Sequence, residues 1–189
     1  MQHPVATDVD IKYFTAPTRQ ALSERPGAEQ RQARYHRALR QSGRVDVILG
    51  YHQTKTKSGV LIPHHPGNSA CRCSGRPVHV EVIEEKQTDV NIALAMYADA
   101  ASGEREQQVL CSNDADLEPV LARIRADFPP IRLGLTLPRR KQEARHAKSL
   151  ERHAHWTRHY LRDDELNAAQ FPNEFRDRRG RPIRKPETW

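Results

Sequence analysis

Long apolar runs are missing from this 189-residue chain. No stretch approaches the roughly 18 uninterrupted apolar residues of a membrane-spanning helix. The opening MQHPVATDVD has neither the basic start nor the apolar run of a secretory signal. Aromatic residues are scarce, at 6% of the chain, so only a moderate core is expected. Cysteine is scarce as well. Three residues, an odd number with no export signal, argue against a disulfide framework and for a cytoplasmic protein. There is no internal repeat and no low-complexity block. This length fits one domain with a single core.

What is present in excess is positive charge. The formal net charge is +7, gathered in Arg139-Arg140-Lys141 and in Arg176, Arg178, Arg179, Arg181, Arg184 and Lys185. Such clusters attract phosphate backbones through counterion release, and they also occur simply as solvated surface.

Apolar periodicity sets out the elements. Val9, Ile11 and Tyr13 alternate with Asp10 and Lys12, which predicts a short strand. After Pro26-Gly27, a helix with a thin apolar face is expected over 28–42, then a buried strand over 45–51. Residues 54–77 lack periodicity and read as a long loop with a brief strand at 60–62. Val78, Val80 and Val82 predict a half-exposed strand. A helix follows over 89–101, facing inward through Val90, Ala93, Leu94, Tyr97 and Ala101. Residues 108–112 form a short apolar strand. Leu117, Val120, Leu121, Ile124 and Phe128 mark a helix with a buried stripe, and 131–137 a last strand. A basic helix is expected over 141–161 and an extended tail from Phe171. Strand and helix alternate, which predicts a parallel sheet covered on both faces.

Three carboxylates share one address in this scheme. Asp89 starts the helix after one strand, and Asp114 and Asp116 lie where another strand turns into a helix. In open α/β sheets such positions line the crevice beyond the strand C-termini. Clustered carboxylates repel one another and so suit a hard cation such as Mg²⁺ or Mn²⁺. Taken singly, each aspartate fits a helix cap better than a metal ligand.

The segments around these residues add a resemblance. Glu84-Glu85-Lys86-Gln87-Thr88-Asp89-Val90-Asn91-Ile92-Ala93 and Val109-Leu110-Cys111-Ser112-Asn113-Asp114-Ala115-Asp116-Leu117 resemble, at matching spacing, the two acidic signatures of the NYN domain family, the LabA-like branch of the PIN-like nucleases. Lys12 to Ala16, Gln170-Phe171-Pro172 and 180–189 look like that family's flanks. The resemblance implies a three-layer αβα sandwich with a mainly parallel sheet over 1–169, followed by a basic, proline-containing tail, 170–189. It implies a metal-dependent ribonuclease site in which Asp89, Asp114 and Asp116 face Mg²⁺ or Mn²⁺, with Ser112 and Asn113 shaping the turn. Arg139, Arg140, Lys141, Arg145 and Lys148 would then position the RNA backbone. Family members open with a strand ending in an Asp-Gly-x-Asn motif, and nothing between Met1 and Asp10 matches it. Neither Asp8 nor Asp10 takes the vacant role. The leading expectation is a metal-dependent ribonuclease whose domain is incomplete at its N-terminus, and the alternative is a catalytically impaired or inactive RNA-binding or regulatory protein of the same fold.

Lesser candidates complete the reading. Cys71-x-Cys73 with His64, His65 and His79 is a weak zinc pattern. Cys111 is expected in the core. On the predicted basic helix, His155 and His159 at i, i+4 could bind a metal, and Trp156 is expected to pin that helix to the sheet.

Overall fold

A computed structural model describes residues 8–60, 75–140 and 148–187, with the backbone alone at Leu22. The described residues form a mixed α/β protein with five helices and several short sheets, some of them parallel. Two parallel sheets carry the organisation. Strand β1 (Ile11–Thr15) pairs with β2 (Val45–Leu49), Ile11 opposite Val45. Strands β5 (Gln107–Cys111), β6 (Arg132–Thr136) and β7 (Trp156–Arg158) form the second. The expected single sheet is therefore divided among the described residues, with β1 and β5 not hydrogen-bonded to each other.

Helix α1 (Ala28–Gln41) crosses from β1 to β2. Its start is unusual, since Gly27 at φ 75 has no capping side chain of its own. The Gln20 carboxamide oxygen substitutes, accepting from the Gly27 N–H at 3.0 Å. The helix buries Ala28, His36, Ala38 and Leu39, and burial pushes the His36 pKa down, helped by Arg40 nearby.

Residues 54–60, expected as loop, instead continue β3 (Tyr51–Val60), which pairs antiparallel with β4 (Pro77–Lys86). Lysines alternating with threonine and serine left no apolar signal there. The cross-strand ladder and the ion pairs of Glu84 with Lys57 and Lys86 hold the ribbon instead. Residues 61–74, with Cys71, Cys73, His64 and His65, lie outside the described residues, and His79 is engaged with Ser58 at 3.1 Å. Strand β2 is shorter than expected and only half-buried.

Helix α2 (Thr88–Ser102) ends at Gly103, whose φ of 69 suits glycine. Its inward face is rotated from the expected one. Ile92, Ala93, Met96, Tyr97 and Ala100 pack on the core, while Val90 and Leu94 are 61% and 64% exposed. Helix α3 (Glu118–Asp127) has Pro119 in its first turn, where no backbone bond is lost. Leu117, Leu121 and Ile124 on this side meet Leu133 and Leu135 from β6 and Leu137 just after it, all almost fully buried.

The C-terminal third departs most from expectation. Over the described part of 141–161 there is a single helical turn, α4 (Lys148–Glu151), and then β7. Trp156 is thus a strand residue, and its indole lies over Gly134, where a Cβ would come within 2.2 Å of it. Tertiary pairing with β6 outweighed helix-favouring composition. After α5 (Asp163–Ala168), the tail folds into an antiparallel hairpin, β8 (Glu174–Arg176) and β9 (Pro182–Arg184). Phe171 meets Tyr35 of α1 edge-on, with ring centres 6.4 Å apart. Ile183 is buried.

Candidate functional site

The ends of β1 and β5 show where the carboxylates gather. At the N-terminal ends, Arg105, just before β5, pairs with Asp10 and, at 3.3 Å, with Asp8, just before β1. Asp8 and Asp10 therefore sit at the opposite end of these strands from the acidic motifs. At the C-terminal ends, Gly50 donates its N–H to the Thr15 carbonyl at 2.8 Å. A Cβ on Gly50 would lie 2.4 Å from the Lys86 carbonyl oxygen and 2.7 Å from the Thr88 hydroxyl. Only glycine lets the end of β2 approach the start of α2 this closely.

Asp89 follows directly. Its pKa is raised, first by burial and then by the negative charges of Asp114, Asp116 and Glu85. Two acidic segments 25 positions apart thus come within electrostatic reach of one another. Glu85 was not singled out from the sequence, although strand alternation supplies a signal. Glu84 points to the lysines of the ribbon, which hold its pKa down to about 2. Glu85 points the other way and accepts a hydrogen bond from Thr88.

The Asp-x-Asp turn is held by its own side chains. Ser112 Oγ accepts from the Asp114 N–H at 3.1 Å, and Asp114 Oδ1 accepts from the Asp116 N–H at 3.0 Å. Asp114 therefore does cap the short 3-10 turn Ala115–Leu117 ahead of α3. One of its carboxylate oxygens takes this part, and capping and ligand roles are compatible. The donor set is of the right kind for a hard cation, with like charges that such a cation would relieve. Among the described residues, however, no three histidine, cysteine or carboxylate side chains are grouped closely enough to hold a metal ion.

The remaining candidates divide. Arg139 Nε donates to the His159 carbonyl at 2.8 Å, and Arg140 pairs with Asp163 at 3.5 Å. Lys148 is exposed at the start of α4, and Lys141 and Arg145 lie outside the described residues. His155 and His159 do not share a helix face. His155 Nδ1 accepts the Leu133 N–H at 3.0 Å, and His159 pairs with Glu151 at 3.3 Å. Cys111, expected in the core, is exposed at the end of β5, which has a hydrogen-bonded neighbour on one side. The atoms packed around its thiol raise its pKa, the reverse of an activated nucleophile.

No family model matches the chain. It is 36% identical over 182 residues to the 6-hydroxy-3-succinoylpyridine 3-monooxygenase HspA of Pseudomonas putida. The match covers 95% of this chain and 57% of that protein, so the chain spans little more than half the length of its curated relative. A solved structure of a Vibrio parahaemolyticus protein of unknown function aligns with 82% of this chain and 70% of its own, at a TM-score of 0.45 and 20% identity. That likeness is too loose to assign a fold. Among the described residues no helix is long and apolar enough to cross a membrane.

Proposed function

We propose that this chain is a PIN-like, metal-dependent ribonuclease that hydrolyses RNA phosphodiester bonds, its two parallel sheets belonging to a three-layer αβα arrangement. The observation supporting it is the raised pKa of Asp89, caused in part by Asp114 and Asp116 across the strand ends. In this reading Asp89, Asp114 and Asp116 hold Mg²⁺ or Mn²⁺. When bound, such an ion lowers the pKa of a coordinated water and offsets charge developing on a phosphate.

The chain's own residues do the positioning. Ser112 fixes the turn that presents Asp114, and the Asp116 N–H orients the Asp114 carboxylate. Asp89, in the first turn of α2, is ionised less readily than its neighbours' charges alone would leave it in water, so a proton and a cation compete there. Lys148 and the exposed parts of Arg139 and Arg140 flank the RNA path.

Cleavage of labelled RNA by purified protein, with Mn²⁺ and with EDTA, tests the reading. The Asp114→Asn/Asp116→Asn variant should lose metal-dependent cleavage, and cleavage retained by that variant would sink the assignment. RNA bound by the native protein but never cut would overturn the nuclease assignment in favour of a non-catalytic RNA-binding protein.

The 36% identity to a monooxygenase favours a second reading, hydroxylation of a related aromatic ring. Incubating the protein with 6-hydroxy-3-succinoylpyridine, dioxygen and a reduced nicotinamide tests it. Loss of that pyridine with one atom of labelled dioxygen incorporated into a pyridine product, seen by mass spectrometry, would support this reading over the nuclease.

A further inference from the structure

A second charged site lies at the other end of the molecule. The last turns of α1 and the tip of the β8–β9 hairpin enclose an open cleft of about 350 Å³, lined by Arg37, Arg40, Arg178, Arg179 and Arg181. Asp177 is the single acidic side chain among the lining residues.

Asp177 has a structural task. Its Oδ1 accepts the Arg179 and Arg181 N–H groups at 2.9 Å, and its Oδ2 accepts from Arg37 at 2.6 Å and Arg181 at 3.1 Å. Burial alone would raise its pKa, but these four bonds hold it well below the usual carboxylate range. They clamp the hairpin tip to α1, assisted by the Gln41 side chain, which accepts the Arg178 N–H at 3.2 Å.

This clamp does not use the other guanidinium groups. Arg40, Arg178 and Arg179 are exposed, and their side chains make no hydrogen bond or ion pair among the described residues. Arg37 Nε is buried and likewise without a hydrogen-bond partner among them. Five guanidinium groups thus surround one carboxylate, and like charges held together repel one another. Planar forked donors at this density match the oxygens of successive phosphates.

The cleft is not part of the carboxylate site. Arg37, Arg40 and Gln41 immediately precede β2, so they lie at the N-terminal edge of the sheet, whereas Asp89 and Asp114 lie beyond the C-terminal edge. The five residues of β2 separate the two edges by roughly 16 Å.

We propose that this arginine cleft is an exosite for the phosphodiester backbone of single-stranded RNA. The inference rests on the RNA reading given above. An RNA long enough to reach both edges is held by the cleft while another part of the strand lies at the carboxylates. A short oligonucleotide gains nothing from it.

The test uses fluorescence anisotropy with a labelled single-stranded RNA long enough to span both edges. The protein carries Asp114→Asn/Asp116→Asn, so that cleavage cannot intervene. Adding Arg178→Ser/Arg179→Ser leaves the backbone donors and the Arg37–Asp177 clamp in place, and an unchanged melting temperature confirms it. Weaker binding is expected, with the slope of log affinity against log salt shallower by about 1.4, two phosphate contacts at ~0.7 each. The charge-matched Arg25→Ser/Arg76→Ser variant should keep the original slope. An unchanged slope in the Arg178/Arg179 variant overturns the exosite. So does an equal loss in both variants, or equally effective competition by heparin. The exosite is independent of catalysis in this assay. A native protein that never cuts RNA, yet loses binding through Arg178 and Arg179, keeps the exosite and loses the nuclease assignment.

Discussion

The two parallel sheets are packed very differently, although β1, β2, β5 and β6 all have five residues. In the β5–β6–β7 sheet, β6 has a neighbour on each side and presents Leu133 and Leu135 at 0% exposure to α2, α3 and α4. In the β1–β2 sheet each strand has one neighbour among the described residues, and Ile11 and Leu49 are 45% and 41% exposed. Lys12 of β1 reaches α2 through an ion pair with Asp99 at 2.6 Å. A strand flanked on both sides can give every inward side chain to the core. A strand at an edge shares them with solvent, so similar apolar content yields unequal burial.

The contrast is broken most strongly at its best-packed point. Leu133→Ala removes a fully buried side chain and should cost about 2–5 kcal/mol in urea unfolding. A loss below about 1 kcal/mol would mean that this layer is not the dominant core. Gly134→Ala places a methyl group against the Trp156 indole. Overpacking of this kind costs about 1–3 kcal/mol, and the near-ultraviolet circular dichroism of Trp156 should change with it. In the other sheet, Ile11→Ala should cost less than about 1 kcal/mol, because nearly half of the side chain is already in water. Equal losses for Ile11→Ala and Leu133→Ala would erase the distinction between the sheets.

The smallest effect concerns the edge where both sheets end. The folded pKa of Asp89 is raised, so the folded state holds that proton more firmly than the unfolded chain. Its contribution is therefore unfavourable once pH rises through the ordinary carboxylate range and on through the raised folded value. Below both values the penalty is absent. Asp89→Asn should raise the melting temperature slightly at neutral pH and leave it unchanged in acid. Mn²⁺ should stabilise the native protein more at neutral than at acidic pH, and the Asp89→Asn variant less at either. A metal shift that is independent of pH would separate Asp89 from the cation.

Much of this was legible from local signals. Gly103 after α2, Pro119 at the start of α3, and the alternation in β4 each act within a few residues, so element type and order followed. The Asp-x-Asp turn was legible for the same reason, since Ser112, Asp114 and Asp116 bond within their own segment. Signals failed where a distant partner decided the outcome. Residues 54–60 became a strand because β4 supplies a ladder. Trp156 entered a strand because β6 supplies an edge and Gly134 a space. On α2, periodicity defined an apolar helix but not its orientation, because Val90 and Leu94 on one side and Ile92 and Met96 on the other are equally apolar.

The sequence alone determined the helices and strands with strong local stops, the excess of positive charge, and the two acidic segments as chemical candidates. Only the tertiary structure brought Asp89 within reach of Asp114 and Asp116, turned Glu85 toward them and Glu84 away, and placed an arginine cleft at the opposite edge. The physical reason is range. Capping, turn chemistry and periodicity are settled between near neighbours in the chain, whereas electrostatic convergence depends on which strand ends meet in space.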